Sequence, residues 1–155
     1  MAGHDRVTPD GRRFFAQIEQ LKSLQVRVGF QQGKAQSDEG VDMADIATFN
    51  EVGTAHSPAR PFMRQSVDSN TSAINAVCRA QIQKVARGGT AEQALNAIGE
   101  MQKGFIQDTI TRSKEWAEPN AESTIKKKGS DVPLVDKSQM LQSVEHVIVP
   151  KGGGG

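Results

Sequence analysis

Tyrosine is missing from this 155-residue chain, tryptophan and cysteine occur once each, and aromatic residues make up only 5% of it. The lone Cys78 excludes an internal disulfide and any cysteine-built metal cluster, and fits a reducing cytoplasm. Its spacing makes it a small apolar residue on a helix. So few aromatics leave no platform on which single-stranded nucleic acid could stack. A hydrophobic content of 36% is low for a self-sufficient globule, so some apolar surface is expected to be completed by neighbouring subunits. Nineteen basic against eighteen acidic residues leave a net charge of +1, which provides no field for nucleic acid or an anionic membrane. No apolar run approaches the roughly 20 residues of a membrane span, and Met1 to Arg13 is too polar for a signal peptide. The expectation is a protein made and assembled in the cytosol.

What is present suits one domain of the α/β (α+β) class, a small sheet with a long antiparallel helical hairpin and short flanking helices. Residues 1–11 are expected to be a flexible arm, 12–149 the domain and 150–155 a glycine-rich tail. From Arg12, the residues Phe14, Phe15, Ile18, Leu21 and Leu24 follow helical spacing. Then the period changes to two over Val26, Val28 and Phe30, and the same alternation near the C-terminus makes His146 to Val149 the natural partner strand. Residues 31–40 read as an exposed loop. Asp42 is placed to cap a short helix through Met43, Ala44, Ile46, Ala47 and Asn50, and Gly53 to end it in a left-handed conformation.

Beyond Gly53, Pro58 and Pro61 predict a stiff extended strut presenting the Arg60 guanidinium. Phe62 and Met63 open a helix expected to run unbroken to Ala86, where Gly88 and Gly89 stop it. Thr90 with Gln93 makes a capping box for the second arm of the hairpin, whose stripe reads Leu95, Ile98, Met101, Phe105, Thr109 and Ile110. Gly99 and Gly104 within it point to close packing. Trp116 and Pro119 end this helix, Asn120 to Lys127 suit one or two helical turns, Pro133 to Val135 is extended, and a short helix carries Met140, Leu141 and Val144.

The chemistry of a catalyst needs convergent groups. His4, His56 and His146 fall on an arm, a loop and a strand without metal-ligand spacing, Glu51 near His56 lacks a nucleophile motif, and no phosphate-binding glycine loop is present. The sequence therefore predicts no enzyme, no metal and no cofactor. Lys126, Lys127 and Lys128 form the one dense basic run, which a helix C-terminus favours whatever the function. A small DNA-binding regulatory protein would need a recognition helix, for which Gln81, Gln83, Lys84 and Arg87 are the nearest candidates.

Three motifs recur in order: VRVGF at Val26 to Phe30, NEVGT at Asn50 to Thr54, and PARPF at Pro58 to Phe62. With STIKKKG at Ser123 to Gly129 and PLVDKSQMLQSV at Pro133 to Val144, the set resembles the neck and tail-completion proteins of tailed bacteriophages. Lys137 and Ser138 depart from the family's usual Thr and Gly. The resemblance implies a structural virion subunit forming a ring of roughly six or twelve copies between the DNA-filled head and the tail. Implied partners are further copies of itself, the portal-side connector proteins, and the tail terminator or tail tube, with genomic DNA passing through the lumen unread and no membrane. A tail-terminator ring is the alternative. The implied interface is Asn50, Glu51, Gly53, Thr54, Pro58, Arg60, Pro61 and Phe62, with a second motif at Lys128, Gly129, Pro133, Leu134 and Asp136. Arg60 would pair with a carboxylate either inside its subunit, Glu51 being the candidate, or across to the next.

Overall fold

A computed structural model describes residues 7–119 and 139–152. In chain order the described elements are α1 (Pro9–Ser23), β1 (Leu24–Gly29), α2 (Met43–Val52), α3 (Phe62–Asp68), α4 (Thr71–Ala86), α5 (Ala91–Thr111), α6 (Ser113–Trp116), α7 (Gln139–Gln142) and β2 (Glu145–Pro150). The fold is α+β: helices and a two-stranded antiparallel sheet around one long helix, α5, which packs against α3, α4 and both strands.

Helix α1 starts earlier than its apolar spacing indicates. Thr8 accepts from the Gly11 N–H at 3.0 Å and Pro9 supplies the fixed φ of a first turn, so residues 9–11 belong to the helix and not to an arm. None of its residues is fully buried, and Phe15 is exposed. Phe14, Ile18 and Leu21 are half-buried on its inner face, and two polar side chains add to their packing. Arg13 donates to the carbonyls of Gly89 and Val85, and Gln17 accepts from the Ala91 N–H, so α1 closes both the end of α4 and the start of α5.

The strands pair as expected, Val26 opposite Ile148 and Val28 opposite His146. The Lys151 N–H donates to the Ser23 carbonyl at 2.9 Å, and by the alternation of antiparallel ladders the odd residues of β1 bond to β2. Even residues of both strands therefore direct their N–H and C=O groups outward and their side chains toward α5, where Val26 and His146 meet Gly99. Pro150 is even, so its missing N–H costs the ladder nothing.

Gly99 and Gly104 divide. A Cβ on Gly99 would lie 2.6 Å from the His146 ring, whereas one on Gly104 would meet nothing within 4 Å. Close packing explains the first alone.

The expected unbroken helix to Ala86 is two helices. Between α3 and α4 the side chains of Ser69, Asn70 and Thr71 bond back to the carbonyls of Gln65, Ser66 and Val67, competing with the helical ladder where the chain reads DSNTS. The hairpin survives as α4 and α5, joined through Gly88 and Gly89, and the capping box of Thr90 and Gln93 is complete. On α5 the buried stripe is Ala91, Ala94, Leu95, Gly99, Ile106, Thr109 and Ile110. Its middle is rotated from the expected one, and Ile106 takes the place given to Phe105. The core joins Met43, Ala47, Phe62, Ile106, Ile110, Met140 and Val144, with Phe30 edge-on to Phe62 at 5.8 Å.

Candidate functional site

The motif residues 50–62 build the joint between α2 and α3. Asp42 caps α2 by accepting from the Ala44 N–H at 2.9 Å, and its second oxygen takes the Gly33 N–H at 2.7 Å. These two donors hold its carboxyl below the ordinary value of 3.8, the Gly33 bond contributing most. At the other end Gly53 has φ 78° and ψ 173°. The φ is positive as predicted, but the ψ is extended, a backbone region open almost only to glycine, and a Cβ here would lie 2.8 Å from the Ala59 nitrogen. The chain can fold back on α2 because this residue has no side chain.

Thr54 and Ser57 then close a tight turn, with Thr54 N–H to Ser57 O at 2.9 Å and the Thr54 hydroxyl accepting from His56 N–H at 3.2 Å. Pro58 and Ala59 carry the chain back to α2, where Arg60 N–H donates to the Asn50 carbonyl at 2.6 Å. The Asn50 amide itself donates to the Ile46 carbonyl one turn earlier. Pro61 (φ −78°, ψ 71°) is the centre of an inverse γ-turn closed by Phe62 N–H to Arg60 O at 2.8 Å. The segment is thus bent, not an extended strut.

Two expected exposures are corrected here. Arg60 is 9% exposed, its Nε donating to the Glu118 carbonyl at 2.9 Å and its Nη2 to the Pro119 carbonyl at 3.3 Å. Its guanidinium fork satisfies the backbone where the chain leaves α6. It pairs with no carboxylate among the described residues, Glu51 included. Glu51 instead accepts from Met63 N–H at 2.9 Å and Arg64 N–H at 3.1 Å, closing the start of α3, which has no capping side chain at Pro61. Phe62 is wholly buried, as its apolar ring on the inward face of α3 requires.

Lys128, Gly129, Pro133, Leu134 and Asp136 lie outside the described residues, as do His4 and Lys126 to Lys127. The described residues flanking that second motif nonetheless meet the first. Pro119 sits on Arg60, and Met140 of α7 packs into the core beside Met43 and Ala47 of α2.

The outer face of the joint carries what the sequence reading passed over. Phe49 is 51% exposed and Val52 69%, one turn apart on the side of α2 opposite Met43 and Ala47. A helical wheel of Met43 to Val52 contains that signal: two apolar stripes on a ten-residue helix can not both face one core. Among the described residues no group of three or more His, Cys, Asp or Glu is placed to hold a metal ion, and no helix is long and apolar enough to cross a membrane. No protein-family model, no curated protein and no solved structure matches this chain.

Proposed function

We propose that this chain is a neck or tail-completion subunit of a tailed bacteriophage, assembling into a ring between head and tail. One observation carries the reading: motif residues separated in sequence gather at a single joint, where Asn50, Glu51, Gly53, Thr54 and Arg60 to Phe62 each have a defined bond or packing role, and Pro119 and Met140, on either side of residues 120–138, meet them. In this reading the buried motif residues act by fixing a shape. Contact with the next subunit or with the connector falls to what they hold up, the exposed Phe49 and Val52 and the Thr54 to Ser57 turn.

Electron microscopy of particles from a phage lacking this product tests the assignment. Full heads beside free tails are expected, and overlong tails would make it a tail terminator. Normal virions would overturn both. Complementation with Phe49→Asp plus Val52→Asp is expected to restore the protein but not the joining.

A further inference from the structure

The His146 ring lies directly on the backbone of α5, because Gly99 beneath it has no side chain. Its side chain is 14% exposed, and two residues of α5 one turn apart, Asn96 and Glu100, stand on either side of it. The ring Nε2 is 3.1 Å from Asn96 Oδ1, and Nδ1, which is buried without an aligned hydrogen bond, is 3.3 Å from Glu100 Oε1. Both nitrogens therefore face oxygen. A neutral imidazole carries one N–H, so only the imidazolium can offer a proton on both sides at once.

The other charges around the ring do not take over this role. On α5 Lys103 is paired with Glu145 of β2 at 3.5 Å, so those two opposite charges offset one another. From β1 the residue opposite His146 is the apolar Val28, and Arg27 belongs to the other face of the sheet. Glu100 is thus the carboxylate that acts on the ring, and Asn96, exposed on the helix surface, has room to turn its amide.

We propose that His146 is a proton-operated latch between β2 and α5. With two protons the ring donates to Asn96 Oδ1 and is drawn as a cation to the Glu100 carboxylate, the stronger class of contact. When the proton on Nε2 leaves, the neutral ring keeps its Nδ1 proton toward Glu100, and the Asn96 amide turns over so that its Nδ2 donates to the bare Nε2. Strand and helix are then joined by neutral contacts alone. The latch holds in acid and loosens as pH rises, and because β2 is the one partner of β1 among the described residues, the whole sheet responds to it. This inference stands on the fold and does not depend on the phage assignment.

The test is amide exchange of the full chain at about pH 5.5 and about pH 8, a range that brackets the titration of an imidazole, with rates corrected for the intrinsic effect of pH. The ladder amides of Gln25, Arg27, Val147 and Val149 are expected to be about threefold to tenfold better protected at the lower pH, the low end reflecting the exposure of Glu100. Asn96→Ala with Glu100→Gln, both on the exposed surface of α5, is expected to remove that difference while leaving the circular dichroism unchanged. Nitrogen-15 NMR of the ring is expected to place the proton of the neutral form on Nδ1, and the Asn96 side-chain amide signals to move over the same pH range as the ring. Protection indifferent to pH, a pH effect that survives the double substitution, or a neutral ring protonated on Nε2 would each overturn the proposal.

Discussion

The carboxylate of Glu51, one residue before the end of α2, receives the N–H groups of Met63 and Arg64 and so caps a helix to which it does not belong. Pro61 precedes α3 and can offer no capping side chain, so the acceptor must come from elsewhere, and a carboxylate there also meets the positive end of the helix. The orientation of α3 relative to α2 is thereby fixed by two bonds.

Glu51→Ala is therefore expected to lower stability by about 1–2 kcal/mol, the range of a lost N-cap, and to speed amide exchange in residues 62–68 before anywhere else. Equal exchange across α3 in both proteins would show that packing of Phe62 alone orients the helix.

Arg60→Lys is expected to behave nearly as badly as Arg60→Ala. A lysine carries the charge but not the fork that reaches the two carbonyls of Glu118 and Pro119 together. Amide exchange in residues 113–119 is the measurement, and full protection in the lysine variant would mean that charge alone suffices.

The two glycines of α5 should respond in opposite directions to alanine. Gly104→Ala is expected to raise stability by about 0.5–1 kcal/mol, since a methyl there meets nothing and stiffens the unfolded chain. Gly99→Ala forces the sheet away from the helix and is expected to cost about 1–3 kcal/mol. Urea midpoints of the two variants decide it, and a shift of the same sign in both would contradict the packing described.

Acid should reach the joint through Asp42. Because its carboxyl lies lower in the folded chain than the ordinary 3.8, its contribution is present above that value and is lost as pH falls through the folded one. The expected result is that Asp42→Asn lowers the melting temperature near neutrality and that the gap to the parent protein narrows below about pH 4. A gap that stays constant down to acid pH would mean that the charge of Asp42 is not what the Gly33 and Ala44 bonds use.

The pattern of elements was legible because it rests on local chemistry. Asp42, Thr90 with Gln93, and the alternations at Val26 to Phe30 and His146 to Val149 each announce themselves within a few residues. What failed was reach. Nothing near Arg60 tells that its guanidinium spans to carbonyls 58 and 59 residues away, and nothing near Arg13 tells that it closes α4, since both partners are backbone atoms with no residue signature. Two prolines did imply rigidity, but an inverse γ-turn and a stiff extension use the same proline φ and differ only in ψ. The break at Ser69 to Thr71 was readable from its run of backbone-bonding side chains, and was outweighed by the apolar period on either side.

Leu24 pairs with Pro150, so the sheet joins the two ends of the described chain, while α4 and α5 follow one another in sequence across Gly88 and Gly89. On a ribosome the hairpin can form as soon as α5 has emerged, but β1 must wait for the whole intervening chain to be made. Throughout that interval both edges of β1 are unpaired and Gly99 has no imidazole against it. The closing of β2 onto β1 is thus the step that covers one of those two edges, and the interval before it is when a chaperone has most to protect.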